Sequence, residues 1–138
     1  MRNRFILFIA LLLSYACFAA SNAATDRVTA FLTNAYTGVQ MQPDDWLTEE
    51  ARTAELFLAF GGLDALVRQS TASAKRYGGL ESVRILTAKE DGRAYLVTAE
   101  VHLKDDDSRR SVPAKAVSED MVWRFRVVTQ DGKLLLEF

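Results

Sequence analysis

Residues 91–103 read DGRAYLVTAEVHL, and the alternation in this stretch decides the fold. Tyr95, Val97, Ala99, Val101 and Leu103 share one face and Leu96, Thr98, Glu100 and His102 the other, the period of two of a half-buried strand. Asp91-Gly92 supplies the positive φ values of a type I′ hairpin turn. A preceding strand through Val83 and Ile85 is therefore expected. Downstream, Met121, Trp123, Phe125 and Val127 alternate with Val122, Arg124, Arg126 and Val128. Asp131-Gly132 makes a second tight turn, after which Leu134, Leu136 and Phe138 oppose Leu135 and Glu137. The polar run from Asp105 to Ala116 contains Pro113 and reads as the connection between the second and third strands. The sum is an antiparallel sheet of about four strands.

Upstream of Leu80 the period is 3.6. Val28, Phe31, Leu32, Ala35, Tyr36 and Val39 form one helical face, with Thr25 or Asp26 as candidate cap. Gln42-Pro43-Asp44-Asp45 reads as a turn into a second helix, capped by Thr48 and ending before Gly61-Gly62 with Leu56, Phe57, Leu58 and Phe60. A third helix runs from Leu63 to Tyr77, stopped by Gly78-Gly79.

At the N-terminus, Arg2 and Arg4 precede the apolar run Phe5 to Leu13, and small residues follow at Ser21-Asn22-Ala23. This is the pattern of an export signal, too short for a membrane span of about 20 apolar residues. Cleavage after Ala23 is expected, leaving one domain over 24–138 in the periplasm or outside the cell. Cys17, the only cysteine, ends the apolar run and supports an alternative, lipid anchoring to a membrane surface, although Ser14 and Tyr15 depart from a lipoprotein pattern. The shorter chain would hold fifteen basic and eighteen acidic residues, a net charge of −3. With the two signs interspersed, that balance argues against nucleic-acid binding.

These features resemble the nuclear-transport-factor-2-like superfamily, in which helices pack on a curved antiparallel sheet to make an α+β cone. The likeness lies in Phe31-Leu32-x-x-Ala35-Tyr36, the helix closed by Gly78-Gly79-Leu80, the segment Ser82-Val83-Arg84-Ile85-Leu86 and the two Asp-Gly turns. Gly78 to Leu103 is most similar to uncharacterised bacterial exported or lipid-anchored members. Two departures are Gly132-Lys133-Leu134, where those relatives often carry Gly-Lys-Trp, and the extended Asp105 to Ala116 connection. Enzymes of the superfamily imply an acidic base inside the cone, and no carboxylate falls on the inward strand faces here.

Nothing in the sequence calls for a cofactor or metal. His102 is the only histidine, and Asp105-Asp106-Asp107 lacks the alternation and glycine of a calcium loop. Two binding surfaces remain. On the outer sheet face, Glu100, His102, Arg124 and Arg126 mix charge with aliphatic neighbours, suiting contact with an envelope protein or a second copy of the chain. Inside the cone, Tyr36, Tyr77, Tyr95 and Trp123 are candidates to line a pocket for a small apolar ligand, against the alternative that they only fill the core. The expected function is a non-catalytic exported binding module acting through the sheet face, with a ligand carrier or sensor as the alternative.

Overall fold

The computed structural model describes residues 21–104 and 121–138. The expected export signal as far as Ala20, with Cys17, and the Asp105 to Ala116 connection lie outside them. Four strands, β1 (Leu80–Asp91), β2 (Ala94–Leu103), β3 (Val122–Gln130) and β4 (Lys133–Glu137), form one antiparallel sheet in chain order. Tight turns explain the order, because two-residue loops can only join antiparallel neighbours. At the β3–β4 turn Asp131 and Gly132 have φ of 50° and 76°, the two positive values of type I′. The β1–β2 turn differs from expectation. Asp91 still pairs with Ala94, so the loop is Gly92-Arg93, and only Gly92 has positive φ. Glycine at the first central position suits type II′ instead.

On β2 and β3, Val97, Ala99, Val101, Phe125 and Val127 are buried on one face. β1 is less regular than its alternation suggests. Register shifts near Glu81 and Leu86 leave Val83 and Ile85 opposite Val101 and Ala99, while Leu86 is exposed. Bulges of this kind bend and twist a strand.

Helix α1, over 21–37, packs Val28, Phe31, Leu32, Ala35 and Tyr36 into the same core. Phe31 is fully buried and meets Phe125 edge-to-face, with ring centroids 5.5 Å apart. Burying each such side chain contributes about 1.5–3 kcal/mol. Neither Thr25 nor Asp26 caps this helix, since it already runs through Ser21. The Thr25 hydroxyl instead donates to Asn22 O, and Thr29, Thr33 and Thr37 each donate to the carbonyl four residues back. These back-bonds satisfy a polar stripe inside the helix.

The expected turn at Gln42 to Asp45 is a short helix, α2 (Pro43–Trp46), opened by a proline that needs no N–H partner there. Leu47 then bridges in parallel to Leu136, and Thr48 N–H donates to Leu136 O. Thr48 caps the following helix as expected, accepting from Ala51 N at 3.2 Å. That helix is not continuous. It divides into α3 (Glu49–Thr53) and α4 (Glu55–Phe60), with Ala54 in an extended conformation between them. The break carries no proline or glycine, and it turns α4 so that Phe57 meets Phe138, ring centroids 5.3 Å apart. Helix α5 (Gly62–Arg76) follows, burying Leu63, Leu66, Val67, Ser70 and Ala74.

Candidate functional site

Where α1, α4 and α5 meet the inner sheet face, a cavity of about 550 Å³ is lined by Tyr36, Leu56, Phe57, Phe60, Leu66, Gln69, Ser70, Ser73, Trp123 and Phe138. Each wall has a sequence reason. Tyr36 closes the last turn of the apolar face of α1, one helical turn after Leu32. Trp123 and Phe125 are two apart on β3, so both point inward, and their rings stack with an interplanar angle of 6°. Phe138 extends the inward series of β4 and touches Phe31, Phe57 and Phe125. Leu66, Gln69, Ser70 and Ser73 come from one side of α5 at three- and four-residue spacing.

Two of the four candidate pocket residues are brought together. Trp123 Nε1–H donates to the Tyr36 hydroxyl at 3.1 Å, and the rings meet edge-to-face. The Tyr36 O–H in turn lies 3.6 Å from Met121 Sδ. Burial pushes the Tyr36 hydroxyl above the ordinary tyrosine pKa, with the Trp123 hydrogen bond partly opposing. It therefore remains protonated at neutral pH. Tyr77 lies at the C-terminal cap of α5, and the Tyr95 hydroxyl is 3.5 Å from Glu90 Oε1 beside the β1–β2 turn. Neither lines this cavity.

Helix α4 is the part that the alternation of strands and helices did not disclose. Leu56, Leu58 and Phe60 are 86%, 57% and 50% exposed, and Phe138 beside them is 52% exposed. The signal for it was present as the Leu56-Phe57-Leu58 run, but a cluster of that kind reads equally as core. Only the break at Ala54 leaves it on the surface at the cavity mouth.

The outer-face candidates also fall together. Glu100 and His102 are on β2, with Arg124 opposite Thr98 and Arg126 opposite Leu96. Most of their charge is answered within the chain. Arg126 lies 4.0 Å from Asp91 and 3.8 Å from Glu137, and His102 Nε2 is 3.1 Å from Glu100 Oε2. The last contact lacks hydrogen-bond alignment, since Nε2 is buried and has no directed partner. Among the described residues no group of three His, Cys, Asp or Glu could hold a metal ion.

A second, more polar concavity of about 690 Å³ lies beyond the other side of α5, where Arg68, Thr71 and Lys75 face Gly38 and Gln40. The Thr71 hydroxyl donates to Ala35 O there, tying α5 to α1.

No protein-family model matches the sequence, and no curated protein matches it. Among solved structures, the fold is similar to that of a Campylobacter jejuni protein provisionally described as an NTF2-like transpeptidase. The match has a TM-score of 0.60 and 16% sequence identity, and covers 83% of this chain and 96% of the other. At that identity the likeness is one of fold: helices on a four-stranded antiparallel sheet in the nuclear-transport-factor-2-like arrangement.

Proposed function

We propose that this NTF2-like fold serves as an exported, non-catalytic carrier or sensor that holds an apolar ligand in its cone. The observation that carries the reading is the concentration of exposed apolar side chains, Leu56, Phe60 and Phe138, at the mouth of an aromatic-walled cavity. Apolar surface in water costs about 25 cal/mol per Å², and a large contiguous apolar patch generally marks a binding surface. Pockets for small molecules combine such walls with a few polar groups, here Tyr36, Gln69, Ser70 and Ser73.

The composition of the lining favours binding over chemistry. Acyl transfer of the kind named for the Campylobacter jejuni protein needs a nucleophile with a base in reach. Among the described residues, the cavity hydroxyls of Ser70 and Ser73 have no carboxylate, imidazole or amine side chain beside them in the lining. An isomerase would need an inward carboxylate, and among the described residues no Asp or Glu side chain lines the cavity. Export rests on the Arg2 to Ala23 segment, with Cys17 lipidation as the alternative attachment.

The test is titration with N-phenyl-1-naphthylamine, a neutral apolar probe, read by tryptophan emission and melting temperature. Trp123 lines the cavity and Trp46 lies under Arg27. Binding in the cone should shift the Trp123 component and raise the melting temperature with probe concentration. The Trp123→Phe variant should lose most of the emission change and keep the thermal shift. If neither signal moves in the parent protein, the carrier reading fails.

A second reading, association through the outer sheet face with an envelope protein or a second copy, is favoured by Arg124. It is exposed, without an ion-pair partner among the described residues, and diagonal to exposed Leu96. The cavity ranks first because Arg126 already lies beside Asp91 and Glu137, and Glu100 and His102 lie against each other.

A further inference from the structure

We infer that the cavity ligand is an uncharged amphiphile: an apolar body carrying one ester, amide or hydroxyl oxygen that accepts the Tyr36 proton. This deepens the carrier reading and rests on it. The argument begins with the hydroxyl of Tyr36. It accepts a hydrogen bond from Trp123 Nε1–H at 3.1 Å, so its own proton is left to donate. The partner that proton finds in the chain is the thioether of Met121, with oxygen and sulfur 3.6 Å apart. A thioether is a weak acceptor. A buried hydroxyl held against so poor a partner gains more from a ligand oxygen than from the protein.

The rest of the lining points the same way. Ser70 is 7% exposed, and its hydroxyl makes no hydrogen bond among the described residues, nor does the Ser73 hydroxyl or the Gln69 amide. These groups line the α5 wall, with Leu56, Phe57, Phe60 and Phe138 supplying the apolar part. The site therefore has an apolar side for a hydrocarbon and a polar side able to receive a small head group. Among the described residues no charged side chain lines it, so an anionic or cationic head would lose its hydration without gaining a counter-charge there. The raised pKa of Tyr36 keeps the group a donor across the neutral range.

Three ligands of similar length separate the terms: methyl octanoate, octanoate and nonane, each competed against bound N-phenyl-1-naphthylamine. Methyl octanoate is expected to bind more tightly than octanoate. Tyr36→Phe should weaken methyl octanoate roughly five- to tenfold, the worth of one hydrogen bond, and leave nonane nearly unchanged. Equal weakening of both would mean that Tyr36 acts only by packing. That outcome overturns the inference and leaves the carrier reading standing, as does tighter binding of octanoate than of its ester. Failure of all three to displace the probe removes the carrier reading itself. Met121→Leu, which conserves volume, provides an independent check should Tyr36→Phe fold poorly. Freed of its thioether contact, Tyr36 should keep or increase the preference for methyl octanoate over nonane. A reduced preference would count against the proton being offered to the ligand.

Discussion

Arg27 shows how one side chain joins elements that no local pattern connects. Its Nε–H donates to Leu134 O at 3.1 Å, its Nη2 donates to Asp45 O, and the guanidinium lies 3.6 Å over the Trp46 ring. It thereby ties α1 to α2 and β4 at once. Burial lowers its pKa from the ordinary arginine value, and the Asp45 carboxylate opposes that shift. Replacing it by methionine keeps the stem and removes both hydrogen bonds and the cation–π contact. The expected loss is about 2 kcal/mol, read as a lower urea midpoint with an unchanged slope. Arg27→Lys should recover less than half, because an ammonium lacks the planar fork that reaches two carbonyls from one ring face. Nothing in the spacing of Arg27 announces this role, since a basic residue on a wet helix side is ordinarily solvated.

At the scale of elements, the short helices α3 and α4 depend on their ends. Gly61 closes α4 and opens α5 with φ of +111°, and a Cβ there would stand 2.7 Å from Ala65 Cβ. Gly61→Ala is expected to cost about 1–2 kcal/mol for the left-handed backbone alone, with the contact added. Gly62, at φ of +70°, has nothing within 4 Å of its Cβ position, so Gly62→Ala bears the backbone cost without the clash. The difference in melting midpoint between the two variants reports the contact of residue 61 with Ala65 in the first turn of α5. Equal midpoints would show that the α4–α5 junction shifts to relieve that contact at little cost. The glycine pair was legible as a helix boundary. The break at Ala54 was not, because alanine is a good helix former and the contact that accompanies the break, Phe57 against Phe138, joins residues 81 apart.

At the scale of the whole molecule, the cone mouth and the outer sheet face compete as the working surface. The double charge reversal Arg124→Glu with Arg126→Glu leaves the core untouched, since both side chains are exposed. Arg126→Glu also sets like charges beside Asp91 and Glu137. If the sheet face mediates association, sedimentation velocity should show a loss of dimer or complex while the circular dichroism spectrum is kept. Unchanged association would leave the cone as the remaining candidate surface. Alternation in residues 94–103 and 122–130 by itself determined the strands, their inward faces and, through the Asp-Gly turns, their antiparallel order, because side-chain direction and tight-turn φ are local properties. Sequence also brought Tyr36 and Trp123 to the inner surface as apolar-face residues. Their hydrogen bond, the distance of Tyr77 and Tyr95 from the cavity, the clamp at Arg27 and the exposure of α4 were decided only in the tertiary structure. Those depend on which elements meet across the cone, and contacts between residues far apart in the chain leave no period along it.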